Sequence, residues 1–444
     1  MNNTLIVNAE LVSEGRRWRA DLRIRAGRID EIGANLPARE GDTVIDASGQ
    51  WLLPGMIDDQ VHFRDPGLTW KGDLETESRA AVVGGITSFM EMPNTNPTTT
   101  NAEALEAKYL RGAEVSRGNY AFYMGATNEN LEDIRRVDPN ATPGVKIFMG
   151  ASTGNMLVND PDILDAFFRD TPTPIITHCE DSPMIDANMA AAKQRWPDGV
   201  PLEQHPYIRS REACLKSTRL AIELARRHNT RLHVLHISTA DELALFEPGP
   251  VTGKRVTAET CVHFLQFDEG DYPRLGNFIK CNPAIKSASD REAIIAAVAD
   301  TRIDVLATDH APHTLEEKQQ PYEKAPAGLP LVQFAVQSAL ERVHAGQITL
   351  ERLVEAICHA PAQLFNVVDR GFLREGAWAD LILVDPKRPQ AVQRSDVLSR
   401  CGWSPYEGMT FQSSIASTFV NGVPIWHQGK LDDSVRGRRL EFDR

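Results

Sequence analysis

Gly55-Met56-Ile57-Asp58-Asp59-Gln60-Val61-His62-Phe63-Arg64-Asp65-Pro66-Gly67 decides how the rest of the chain is read. It grows out of the apolar run Trp51-Leu52-Leu53 and closes on a Pro-Gly turn. Between those ends stand carboxylates, a histidine and an arginine. Such residues are costly at the end of a buried strand unless a metal or a substrate compensates them. The stretch therefore reads as the first strand of a barrel, with a reactive site at its C-terminal end.

Working outward, short apolar runs alternate with helical stretches, the pattern of a parallel α/β architecture. Eight strand candidates lie near 51–62, 86–92, 119–126, 144–149, 173–179, 231–237, 256–264 and 304–309, separated by helix-like segments such as Ala102–Glu114 and Ser217–Arg227. Eight such units make a (β/α)8 TIM-like barrel, with a doubly wound sheet as the alternative because strand order is not written in the sequence. Strand-like runs punctuated by glycine occupy the N-terminal 50 residues, including Leu5-Ile6-Val7 and Ala20–Ile24. The same style returns in Ala379–Pro386 and Ser417–Gly422. The expected plan is an α/β chain with a small β-sandwich made by 1–50 and 371–444 around a barrel of 51–370. His62, Asn94, His178, His236, His263 and Asp309 fall at or just past the ends of candidate strands, and Lys146 lies within one. In a barrel those ends converge on one mouth, where active sites sit.

Composition narrows the function classes. A chain of 444 residues exceeds one ordinary core, and its 42% hydrophobic and 25% charged content is that of a water-soluble globular protein. A net charge of −13 argues against nucleic acid as the main partner while allowing a local basic pocket for an anion. No apolar run is long enough for a membrane span, and the opening residues lack the basic and apolar regions of a secretory signal. The six scattered cysteines, with no Cys-x-x-Cys pair, suit reduced thiols in the cytoplasm.

His178 in Ile175-Ile176-Thr177-His178 and His236 in Val234-Leu235-His236 each end an apolar run. One histidine there is ordinarily a hydrogen-bonded core residue; two on consecutive strands read as metal ligands. His233 lies on the opposite face from His236 by the two-residue period and reads as structural. Asp309, ending the eighth run beside several candidate nitrogen ligands, reads as a metal ligand that also exchanges protons rather than as a helix cap. His313, beyond a proline-restricted turn, is placed toward substrate. Lys146 stands inside a short apolar strand, where an ammonium must pair or lose its proton. A neutral amine there can take up carbon dioxide to give an anionic carbamate with two oxygens; a buried Lys–Asp pair is the alternative.

The motifs Asp58–Gly67, Met92-Pro93-Asn94-Thr95, Gly144–Phe148, Ile176–Glu180, Leu235–Ser238 and Thr308–His313, in that order, resemble the dihydroorotase family of amidohydrolases over roughly residues 50–370. Arg64 with Asp65-Pro66-Gly67, and Ala311-Pro312-His313, are the features that set the resemblance apart from hydantoinases and allantoinases. The resemblance implies zinc held by His62 with Asp309 and by His178 with His236, bridged by a carbamylated Lys146. It implies that Arg64, Asn94 and His313 grip an anionic small-molecule substrate, that Asn282 and backbone near Gly328 contact its ring, and that the chain is a homodimer. Asp309 would be the catalytic proton carrier. The activity implied is reversible cyclisation of N-carbamoyl-L-aspartate to L-dihydroorotate in pyrimidine biosynthesis. Its alternatives are another cyclic amidase, or a non-catalytic subunit that scaffolds aspartate transcarbamoylase. Gln60 departs from the family's His-x-His pattern. A neutral amide oxygen is a weaker zinc ligand than imidazole, so the expected centre is unequal, with one tight metal site and a second that is weakened.

Overall fold

A buried parallel strand covered on both faces reads as a nearly continuous apolar run, and each of the eight runs contains such a strand. A computed structural model of the chain describes residues 3–150 and 155–444. Met56–Val61, Ile86–Glu91 and Asn119–Phe122 pair in parallel as the first three barrel strands. The third resumes at Met124–Gly125 and leads, in order, to Val145–Phe148, Ile175–His178, Leu232–Val234, Val256–Cys261 and Val305–Ala307. A parallel bridge from Val61 to His310 closes the ring, which excludes the doubly wound alternative.

Alternation along the strands places the chemistry. Val145 and Ile147 join the large core beneath the surrounding helices, so Lys146 between them points inward. Ile57, Met90, Tyr123, Ile176 and Val305 fill the barrel, packed on Leu364 and Phe365 and on Leu440 and Phe442 of the C-terminal tail. The helices begin on side-chain caps. Asn101 accepts from Ala104 N ahead of Ala102–Val115, and Ser210 accepts from Ala213 N ahead of Arg211–His228. The second helix starts six residues before the sequence expectation, because Ser210 supplies the cap. Its last turn carries Arg226, Arg227 and His228 and ends on a left-handed Asn229.

The first run differs from expectation. Trp51–Pro54 pairs with Leu381–Asp385 and with Glu10-Leu11 of the first strand, inside the sheet built from the two ends of the chain. Only Met56–Val61 belongs to the barrel. Gly55 is the joint, and a Cβ there would stand 2.2 Å from the Thr87 side chain. The terminal sheet has nine strands. Ile6, Leu22, Ile29, Leu52, Leu381, Leu383 and Phe419, drawn from both ends, share one core. Among the described residues no helix is long and apolar enough to cross a membrane.

Candidate active site

The barrel mouth is a cavity of about 280 Å³ whose wall includes Gln60, His62, Arg64, Asn94, Lys146 and His178. Arg209, His236, Asn282, Asp309, His313 and Gly328 complete its polar lining. All the residues singled out for the site thus meet in one place, except His263. That histidine is buried in the short helix Val262–Gln266, packed on Phe264 at 4.1 Å between ring centres.

Local backbone geometry aims several of these groups. Arg64, His236 and Asp309 have φ of 71°, 40° and 51°, a left-handed conformation that non-glycine residues seldom adopt. The turn at His236 also corrects the reading of His233. The sixth strand stops at Val234, alternation breaks, and His233 points into the barrel as His236 does.

Two pairs of side chains face one another. His62 Nδ1 lies 2.8 Å from Asn94 Oδ1. An amide oxygen only accepts, so Nδ1 carries the proton and the Nε2 lone pair looks at Asp309 Oδ1, 3.1 Å away. On the other side His178 Nε2 donates to Glu180 Oε2 at 2.9 Å, leaving Nδ1 facing His236 Nε2 at 2.9 Å. Lone pairs converging in this way need a proton or a cation between them, and a carboxylate or carbonyl behind the ring is the arrangement that orients metal-ligating histidines. The donor set fits a metal. Burial lowers the pKa of both His62 and His178, against the pull of Asp309 and Glu180, so each ring is neutral at neutral pH, the form that can bind a metal.

Lys146 stands between the pairs, and burial lowers its pKa to about 8. Roughly a tenth of it is then free amine at pH 7. Burial opposes ionisation of Asp309, but His62, His263 and Lys146 outweigh it and keep the carboxyl below its ordinary range. Gln60 donates from Nε2 to Asp309 Oδ1 at 3.0 Å and turns its amide oxygen toward Cys261 Sγ, 3.9 Å away. It serves Asp309 as a hydrogen-bond donor.

The lining also carries a cation, Arg64. Arg64 donates from Nε to Pro312 O at 3.1 Å, and its Nη2 lies 3.1 Å from His313 Nε2. Burial lowers the guanidinium to about 10, so it remains charged. Lys71 Nζ lies 3.1 Å from His313 Nδ1. Asn282 Oδ1 is buried with no hydrogen-bond partner, an acceptor left for a ligand. Gly328 lines the cavity as well. Its N–H donates to Lys280 O at 2.9 Å and its carbonyl accepts from Lys318 Nζ at 3.0 Å. Its backbone offers close approach, since a Cβ would meet Ala311 O at 2.4 Å.

Sequence reading missed Arg209 and Glu180. Arg209 lines the cavity and pairs with the buried Glu180 that holds His178. Glu180 stands inside a quoted motif, whereas Arg209 is brought from 29 residues away and carries no local signal. Asp58, buried and shifted up to about 8, was also missed; it accepts from Thr308 N at 3.1 Å and Thr308 Oγ1 at 2.6 Å, which ties the first strand to the approach of Asp309.

A closed parallel barrel with paired nitrogen and oxygen ligands at its mouth is the architecture of a metal-dependent hydrolase. The chain belongs to the amidohydrolase family, whose model matches residues 51–425. Within that family it is 32% identical to the dihydroorotase of Halobacterium salinarum, covering 98% of this chain and 99% of that one. It is 31% identical to the dihydroorotase of Bacillus licheniformis, covering 96% and 99%. Among solved structures, L-hydantoinase (dihydropyrimidinase) from Arthrobacter aurescens superposes with a TM-score of 0.93 at 28% identity, over 99% of this chain and all of that one.

Proposed function

We propose that the chain catalyses the reversible cyclisation of N-carbamoyl-L-aspartate to L-dihydroorotate plus water. The observation that carries this reading is the charged Arg64, with His313 Nε2 3.1 Å from its Nη2, in the same cavity as Asp309, a pocket for a substrate with a carboxylate beside its reacting amide. Full-length similarity to dihydroorotases supports it. The resemblance in fold to a hydantoinase supports a second reading, hydrolysis of another cyclic amide.

His178 and His236 would hold the tighter Zn2+, and His62 with Asp309 a weaker one beside Gln60; Lys146 as its carbamate would bridge them. A bound metal would acidify water and polarise the amide carbonyl. In the hydrolytic direction water adds to the ring carbonyl carbon, the carbon–nitrogen bond breaks, and Asp309 carries one water proton to the departing nitrogen. Gln60, by donating to Asp309, fixes that carboxylate's rotation. Arg64 pairs with the substrate carboxylate, supported by His313 and Asn94, and Asn282 Oδ1 accepts a ring N–H. The unpaired thiols, all buried except the half-buried Cys401, suit a reducing cytoplasm, and a homodimer, measurable by sedimentation, completes the reading.

The test is hydrolysis by the metal-replete chain of L-dihydroorotate and hydantoin side by side, with Asp309→Asn as the control. Turnover of dihydroorotate, lost in Asp309→Asn while substrate still binds, is expected. Hydrolysis of hydantoin with none of dihydroorotate selects the second reading, and activity surviving in Asp309→Asn removes Asp309 from the chemistry.

A further inference from the structure

One step deeper in the barrel than the mouth residues lies a second group. Asp59 precedes Gln60 on the first strand, His233 lies three residues before His236 on the sixth, and Glu259 two before Cys261 on the seventh. One ligand atom from each lies within 4.8 Å of the others. The first and sixth strands are not neighbours in the ring, so these side chains meet across the barrel interior. All three are fully buried.

Their protons can be traced. Thr257 Oγ1 donates to Leu232 O at 3.2 Å, so it accepts from His233 Nδ1–H at 2.8 Å. His233 Nε2 is left to face Asp59 Oδ2 at 3.2 Å and Glu259 Oε2 at 3.7 Å. None of these three atoms has a well-formed hydrogen bond, nor does Asp59 Oδ1. Two carboxylates and an imidazole lone pair enclosed away from water are strongly unfavourable without a counter-charge. Their separations bracket the roughly 3.4 Å expected between two ligands of a tetrahedral ion with bonds of about 2.1 Å. Protons can meet the same need: burial pulls His233 down, but Asp59 and Glu259 prevail and push it up to about 9, and burial with Asp59 pushes Glu259 up to about 8. A dication would replace both protons and cancel both carboxylates.

We propose that Asp59, His233 and Glu259 form a separate, enclosed site for a divalent cation of the Mn2+ to Zn2+ series, beneath the catalytic cavity. Two carboxylate oxygens and one imidazole nitrogen suit those borderline ions. Access runs along polar atoms from the mouth: Cys261 Sγ is 3.9 Å from Gln60 Oε1 and 3.6 Å from Glu259 Oε1. The site is coupled to the mouth, since Glu259 Oε1 accepts from His236 N at 3.2 Å. Phe365 closes it from the base, edge-on to His233 at 5.9 Å.

The experiment uses the full chain produced with Mn2+ alone or Zn2+ alone, and maps the ion by anomalous scattering at its absorption edge. A peak enclosed by Asp59, His233 and Glu259 is expected, together with about one fewer metal ion per chain in Asp59→Asn. Peaks confined to the pairs at the mouth, or none, overturn the proposal and leave a protonated His233 bridging two carboxylates. The wild-type map decides the matter even if Asp59→Asn fails to fold. It is also independent of catalysis, because an inactive chain shows the same peak.

Discussion

Glu180→Gln probes the support of the His178–His236 pair, proposed to hold the tighter metal. Glu180 is fully buried, accepts from His178 and pairs with Arg209. Burial pushes its carboxyl up, but Arg209 and His178 prevail and hold it at about 2. Because His178 is neutral at neutral pH, Arg209 supplies most of that effect. A carboxyl held at about 2 against an ordinary 4.5 corresponds to roughly 3 kcal/mol favouring the ionised form. Glutamine mimics the protonated acid, so the variant should lose up to about 3 kcal/mol of folding stability at pH 7. A depressed carboxyl contributes stability above its unfolded value and loses it as pH falls through the folded one. The gap between variant and wild type should therefore narrow from about pH 4.5 downward and close near pH 2. Urea midpoints at pH 7 and pH 3 measure it. Losing the carboxylate behind a ligating histidine should also weaken zinc about 10- to 100-fold in competition with a chelator. Equal midpoints at pH 7 and unchanged zinc affinity would refute the argument.

Gln60→His should raise tightly held zinc from about one to about two ions per chain, counted by mass spectrometry; an unchanged count means position 60 does not limit the weaker site. Arg64→Met should raise KM for dihydroorotate about 10- to 150-fold, the worth of a charge-assisted hydrogen bond, with a smaller effect on an uncharged cyclic amide. Equal losses on both would move Arg64 from substrate binding to structure. Gly67→Ala should destabilise the chain by about 2–4 kcal/mol. Its φ is +80° and a Cβ would fall 1.7 Å from Asn96 O, so an unaltered thermal midpoint would show that the turn relaxes freely.

The barrel was legible because its strands are apolar on both faces and its reactive residues keep one phase at their C-terminal ends. What escaped reading had a physical reason in each case. Trp51-Leu52-Leu53 and Met56-Ile57 are apolar on both sides of Pro54-Gly55, and that turn signal, where the chain changes sheet, was passed over because the flanking runs look alike. His233 was misplaced because strict alternation was extended beyond Val234, where the strand ends. Arg209 joins the site through a partner far along the chain, and ion pairs of that kind leave no periodicity. Leu440 and Phe442 pack at the barrel base as isolated residues too few to show a pattern.

The two sides of the mouth are held unequally, and the inequality follows from more than position 60. His178 has Glu180 behind it, Glu180 has Arg209, and the backbone of His236 is fixed by Glu259. His62 has only the neutral Asn94 behind its ring. A carboxylate raises the basicity of an imidazole it accepts from, and an amide oxygen does so less. Even with histidine at position 60, the His62 side would be the weaker ligand set. Gln60 adds to that bias by engaging Asp309 Oδ1, the atom that a cation beside His62 would need. The same hydrogen bond would serve the proton-carrying role proposed for Asp309, because it holds the oxygen in place without neutralising it. In the proposed centre, weaker metal binding at His62 and a well-oriented Asp309 would thus both follow from one side chain.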